Sequence, residues 1–110
     1  DEEPWLMAVR EGWRRRFLQA VAQLGERLEQ SGAHEPAQRL YQRALEAEPL
    51  AETNHRGLMR CAHALNDPAA AFSTCARCRE VLSVVLAREP SAETEALAHA
   101  LGLKERQSAW

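Results

Sequence analysis

Isoleucine is absent from the 110 residues, valine occurs five times and threonine three times. β-branched side chains favour strands, so their scarcity excludes a sheet protein. Glycine and proline number only five each, which excludes collagen-like and long low-complexity stretches. The longest nearly apolar run, Val81 to Ala87, is far too short to span a bilayer. No basic stretch precedes an apolar one in the manner of a signal peptide. An excess of positive charge is also missing: Lys+Arg is 14 against 16 for Asp+Glu, a net charge of −2. Domains that bind nucleic acid on their own are usually basic, so direct nucleic-acid binding is not expected. Thirteen of the 14 basic residues are Arg, which reads as a genomic composition bias. Three cysteines, an odd count, argue against a disulfide framework and for a reducing compartment, the cytoplasm.

What is present is helix. Twenty Ala and 14 Leu lose little or no rotamer freedom there. The length is that of one domain, and a chain of this size buries roughly two-thirds of its unfolded surface. The punctuation at Pro4, Ser31-Gly32, Glu48-Pro49, Asn66-Asp67-Pro68, Glu89-Pro90 and Gly102 marks out five helices. The first is expected over Trp5 to Gln30, with Trp13, Phe17, Val21, Leu24 and Leu28 as one inward stripe at steps of three and four, and Arg14, Arg15 and Arg16 on a solvated face. The second spans Pro36 to Ala47 and buries Ala37, Leu40, Tyr41, Ala44 and Leu45; proline suits its first turn, and Glu48-Pro49 ends it. The third covers Ala51 to Leu65, with Leu58, Met59, Ala62 and Leu65 inward. The fourth, Pro68 to Arg88, is capped by Asp67 and turns Ala71, Phe72, Cys75, Cys78, Leu82 and Val85 inward. The fifth, Ala92 to Leu101, buries Leu97 and Leu101 and closes at Gly102.

The helices repeat. A shift of 34 residues superposes Leu24 on Leu58, Ala37 on Ala71, Tyr41 on Cys75 and Ala44 on Cys78. Thirty-four is the tetratricopeptide (TPR) period. The first unit supplies Val21, Leu24, Gly25, Leu28, Ala37, Tyr41, Ala44 and Pro49, seven of the eight expected residue types, with Val21 replacing the usual Trp. Small residues at Gly25, Ala37 and Ala44 let antiparallel helices approach, and Tyr41 fills the gap between layers. The second unit is degenerate and longer. Glu48-Pro49-Leu50-Ala51-Glu52-Thr53 and Glu89-Pro90-Ser91-Ala92-Glu93-Thr94 agree at five of six positions, 41 apart. The seven extra residues are nearly two helical turns, which keeps the buried face in register. The expected fold is therefore all-α: a TPR-like right-handed α–α superhelix of about five helices in antiparallel hairpins. Residues 1–110 form a single domain, with units over about 18–50 and 52–90 and a closing helix over about 92–101.

Several strings in this frame resemble the bacterial transcriptional activator domain. They are Ala44 to Leu50, His55-Arg56-Gly57-Leu58-Met59-Arg60, Cys78-Arg79-Glu80-Val81-Leu82 and Glu89-Pro90-Ser91-Ala92-Glu93-Thr94. The opening Glu3-Pro4-Trp5 and the run Arg14 to Leu18 are similar to the family's entry into a long helix. The resemblance covers nearly the whole chain. Cys75 stands where the family usually has an aromatic residue, and the family's upstream helical hairpin and winged-helix domain are not in this sequence. The resemblance implies a protein–protein interaction module of a cytoplasmic transcription regulator. The chain begins at Asp1 with no Met, and is expected to be a fragment of that longer regulator. Its partner would be another domain of the same chain, another protomer or the transcription machinery. A free-standing TPR scaffold that binds peptide segments is the alternative.

Little in the sequence points to bond-making or cofactor chemistry. Cys75-Ala76-Arg77-Cys78 is a C-x-x-C, but it falls two turns into a helix at two core positions. A redox site wants the helix N-terminus, which lowers the thiol pKa. Zinc would need two further ligands. Cys61 and His63 diverge by about 200° on a helix, so a zinc or thiol-redox module is the distant reading. His34 is expected in a loop, His63 and His99 at the surface, and His55 in the packing between repeats. No Ser-His-Asp arrangement and no glycine-rich phosphate loop is present. No catalytic, cofactor or metal residue is assigned.

What remains is a surface. In stacked hairpins the first helix of each unit lines the concave face, where partners bind. That places Gln19, Gln23, Glu26 and Gln30 beside Arg56, Arg60 and His63 as a candidate partner groove. Arg56 and Arg60, one turn apart, offer the bidentate forks that grip a carboxylate. Trp5, Leu6 and Val9 are expected to be left exposed, a feature that could drive a homodimer.

Overall fold

A computed structural model describes residues 3–103. Five helices follow one another: α1 (Pro4–Gln30), α2 (His34–Ala47), α3 (Glu52–Ala64), α4 (Pro68–Leu86) and α5 (Ala92–Ala100). Among the described residues there is no strand. α1 packs on α2, α2 on α3, α3 on α4, and α5 returns to α3. Consecutive first helices α1, α3 and α5 thus lie side by side with α2 and α4 behind them, a TPR-like arrangement. The radius of gyration, 15.2 Å, exceeds the ~13 Å of a rounded domain of this length. The described residues form a flattened slab of 51 × 36 × 20 Å.

Local chemistry sets the helix ends. Pro4 and Pro68 open α1 and α4, where their missing N–H costs nothing. Asp67 caps α4 by accepting from Ala70 N–H at 3.1 Å. Ser91 caps α5 by accepting from Thr94 N–H. Gly102, at φ +76°, follows the last turn of α5, where glycine takes the left-handed conformation without strain. α4 stops two residues before Arg88, because Ala87 itself adopts the left-handed conformation, φ 53°. α2 starts at His34 rather than Pro36, so His34 belongs to a first turn and not to a loop.

The core has two lobes sharing α3. Val21, Ala37, Tyr41, Ala44, Leu58 and Cys61 fill the space between the first three helices. Met59, Ala62, Ala71, Cys75, Ala98 and Leu103 fill the second lobe under α5. The alanines account for the close approach: Ala37, Ala44, Ala62, Ala71 and Ala98 are all essentially buried. Tyr41 is the wedge of the first lobe. A Cβ added at Gly25 of α1 or at Gly57 of α3 would lie 2.5 Å from the Tyr41 ring, so both positions must lack a side chain.

The first helix departs from expectation. Val21 is buried and Leu28 half-buried, but Trp13 is 66% exposed, Phe17 39% and Leu24 48%. Length explains Trp13; Phe17 and Leu24, which lie within the span of α2, are exposed because no helix among the described residues covers that face of α1. α1 runs 27 residues and α2 only 14, and the end of α2 reaches no further than Arg14, whose Nε donates to Glu48 at 2.7 Å. The first ten residues of α1 project beyond it. Val85 is likewise exposed, in the last turns by which α4 is extended.

Candidate partner-binding groove

The side-by-side packing of α1, α3 and α5 leaves a groove of about 390 Å³ lined by Glu26, Glu29, Gln30, Arg56, Arg60 and Glu93, with Tyr41 in its floor. Of the residues expected there, four line it: Glu26, Gln30, Arg56 and Arg60. Gln19 and Gln23 are exposed on α1, on the same face as Glu26 but two turns and one turn before it. His63 is exposed in the last turn of α3, past the groove.

Both arginines are fixed by the chain itself. Arg60 Nε and Nη2 donate to the two oxygens of Glu29 at 2.9 and 3.0 Å, the paired geometry that makes Arg–carboxylate bonds strong. Glu29 Oε2 also accepts from the Tyr41 hydroxyl at 2.6 Å. Burial alone would push the Glu29 carboxyl up; the Arg60 and Tyr41 bonds outweigh it and hold it below the usual range. Burial and the same bond push the Tyr41 phenol well above its ordinary value. Arg56 donates to Thr94 at 2.8 Å and to Thr53 at 3.3 Å, and faces Glu93 at 3.6 Å. Among the described residues Glu26 meets only the Gln30 amide, at 3.3 Å.

Glu52, beneath one end of the groove, ties three segments together. Its Oε1 accepts from the Thr94 hydroxyl at 2.6 Å and from the Ser91 backbone and side chain at 3.0 and 3.1 Å. Its Oε2 accepts from Arg88 at 3.0 Å. Burial opposes ionisation, but these donors win and hold Glu52 down to about 2. The two matching Glu-Pro-x-Ala-Glu-Thr strings therefore start neighbouring helices, α3 and α5, and bracket Arg56 from both sides.

The groups with potential chemistry are in the packing. Cys61, Cys75 and Cys78 are buried free thiols. Burial, reinforced by the Glu29 charge, pushes Cys61 up to about 11. Burial, then the charges of Glu52 and Cys75, pushes Cys78 up to about 12. A nucleophilic thiol needs the opposite shift. His55 is 3% exposed and donates from Nε2 to the Pro49 carbonyl at 2.9 Å, while Nδ1 has no partner. Its burial lowers its pKa below the ordinary value. Among the described residues no group of three or more His, Cys, Asp and Glu is placed to hold a metal ion, and no helix is long and apolar enough to cross a membrane.

A family model of the bacterial transcriptional activator domain matches residues 1–102. The chain belongs to that family. No curated protein and no solved structure matches it. As a bacterial transcriptional activator domain it is a module of a transcription regulator, built on the all-helical TPR-like fold described above. Within this domain Glu29, Glu52, Gly57 and the Tyr41 hydroxyl were not anticipated as groove or clamp residues. The recurring Glu-Pro-x-Ala-Glu-Thr string was the available signal for Glu52. Nothing in the spacing marked Glu29, which lies one step off the Gln19–Gln23–Glu26–Gln30 face.

Proposed function

We propose that this domain is the protein–protein interaction module of its regulator, acting in the cytoplasm through the face shared by α1, α3 and α5. Gln19, Gln23, Glu26, Gln30, Arg56, Arg60 and His63 supply the contacts. The partner is another domain of the same chain, another protomer or the transcription machinery. The observation that carries this reading is the clamped pair of arginines. Arg60 on Glu29 and Arg56 among Thr53, Thr94 and Glu93 hold two guanidiniums still beside a groove. Ordering them in advance removes the side-chain entropy that a partner would otherwise have to offset. Each guanidinium has five donors, so an arginine held through two has others to offer. The mechanism is complementarity of surfaces, and it needs no bond-making step.

Site-specific photo-crosslinking from Gln23 and Glu26 in the intact regulator tests this. Crosslinks to one protein surface are expected from both positions, and none from Arg43, exposed on α2. Equal crosslinking from Arg43 refutes the assignment. The charge balance adds a second expectation: at −2 net this domain alone shows no appreciable affinity for duplex DNA at physiological salt, and a salt-dependent gel shift at micromolar protein would contradict it.

A further inference from the structure

The groove between α1, α3 and α5 holds two arginines, yet positive charge is not what it presents. The side chain of Arg56 is only 12% exposed and that of Arg60 42%, whereas that of Glu93 is 76% exposed. Glu26 is exposed as well. Each guanidinium already has a carboxylate of the chain. Arg60 has Glu29, held ionised, at 2.9 Å, and Arg56 has Glu93 at 3.6 Å. Glu26 lines the same groove but has no ion-pair partner among the described residues, and its neighbour Gln30 is a neutral amide. Three carboxylates, Glu26, Glu29 and Glu93, therefore share the groove with two guanidiniums, and the uncompensated charge is negative. Helix dipoles do not reverse this. The positive N-terminal ends of α3 and α5 already carry Glu52 and Glu93 in their first turns.

From this we infer that the partner surface is basic and presents a Lys or Arg side chain between Glu26 and Glu93. The inference rests on the α1–α3–α5 face being the contact surface, and adds the charge of what that face receives. Glu26 stands on α1 and Glu93 on α5, one on each side of the arginines of α3. A carboxylate from a partner would have to pass between them to reach arginines whose charge is already met, and like charges at that range repel. A cation in the same place has a carboxylate on either side. The arginines then have a different task from the one their spacing suggests. They hold Glu29 and Glu93 in place, and their remaining N–H groups serve neutral acceptors such as partner backbone carbonyls. Gln19, Gln23 and Gln30, all exposed, continue that neutral rim along α1. The same two carboxylates that attract a basic partner reject an acidic one, which is how a charged groove discriminates.

Photo-crosslinking from Gln23 in the intact regulator, followed by sequencing of the crosslinked peptide, tests the inference. The peptide is expected to carry Lys or Arg, and the yield to fall as salt rises, because exposed charge pairs are screened. Glu26→Gln is expected to lower the yield about threefold, the effect of removing one exposed ion pair. Glu26→Lys and Glu93→Lys, which add repulsion, are each expected to lower it at least about tenfold. Circular dichroism should stay unchanged in all three, because both side chains are exposed. Changing the partner's basic residue to Glu is expected to lower the yield likewise, and to restore it when combined with Glu26→Lys. An acidic crosslinked peptide, or a yield that Glu26→Lys raises or leaves unchanged, overturns the basic partner and leaves the face in place. Crosslinking from Gln23 no stronger than from Arg43 overturns the face itself, and the inference with it.

Discussion

Gly57→Ala is a sharp probe of the first lobe. In a solvent-exposed helix interior the change is favourable by about 1 kcal/mol. Here the new Cβ would lie 2.5 Å from Cε2 and Cζ of Tyr41, about 1 Å inside van der Waals contact. The ring has little room to retreat, because Gly25 of α1 packs so close to its Cε1 edge that a Cβ there would also lie 2.5 Å from Cζ. The hydroxyl is also held by Glu29 at 2.6 Å. Overpacking of this kind costs typically 1–3 kcal/mol, and displacement of the hydroxyl adds about 1.5–3 kcal/mol for a bond to a charged acceptor. The net expectation is a loss of about 2–4 kcal/mol. Chemical denaturation measures it directly, and thermal melting should fall by roughly 10–20 °C for a domain of this size. The diagnostic is the sign in a second background. With Tyr41→Leu the ring atoms Cε and Cζ are gone, and Gly57→Ala should become stabilising by up to about 1 kcal/mol. If Gly57→Ala destabilises equally in both backgrounds, the tyrosine wedge is not what demands glycine.

Glu52→Gln keeps the shape but removes the charge that four donors address, and should cost about 1.5–3 kcal/mol by urea titration. Because the folded Glu52 is held down to about 2, its stabilisation is complete above the ordinary carboxylate value and is lost as pH falls from there toward 2. The variant's acid limb should be flatter than the parent's over that window. His55 works at higher pH. Burial lowers its folded pKa, so the unfolded chain takes the proton first, and melting should drop as pH falls below about 6.5. His55→Gln, whose amide still reaches the Pro49 carbonyl, should remove that part of the pH dependence. Native thiol titration should find Cys61 and Cys78 unreactive, and all three cysteines should react in denaturant; fast labelling of the folded chain would contradict their place in the core.

Much of this fold was legible in the chain because repetition and small residues carry it. The 34-residue shift identified Ala37, Tyr41, Ala44, Leu58 and Ala71 as packing residues, and all are buried. The helix ends were legible wherever a capping side chain or a left-handed glycine makes them, as at Asp67 and Gly102. The α1 stripe was misread because steps of three and four do not say how many helices surround one. Trp13 and Leu24 obey the same period as Leu28 but face a side with no neighbouring helix among the described residues. The groove was half legible. Spacing placed Glu26, Gln30, Arg56 and Arg60 on facing helices, yet the Glu29–Arg60 and Glu52–Thr94 bonds join residues 31 and 42 apart. Such pairs follow from the tilt between hairpins, which periodicity along one helix does not encode.

The central claim is that the α1–α3–α5 face, and not the fold in general, carries the regulator's contact. Glu26→Arg tests it most directly, because Glu26 is exposed and, among the described residues, bonded only to Gln30. Stability should therefore move by no more than about 0.5 kcal/mol. Transcription of a reporter controlled by the intact regulator, measured beside Arg43→Glu on the opposite surface, is the readout. The account predicts that Glu26→Arg abolishes regulation while Arg43→Glu leaves it at the parent level. Full regulation by Glu26→Arg, with loss in Arg43→Glu, would contradict it.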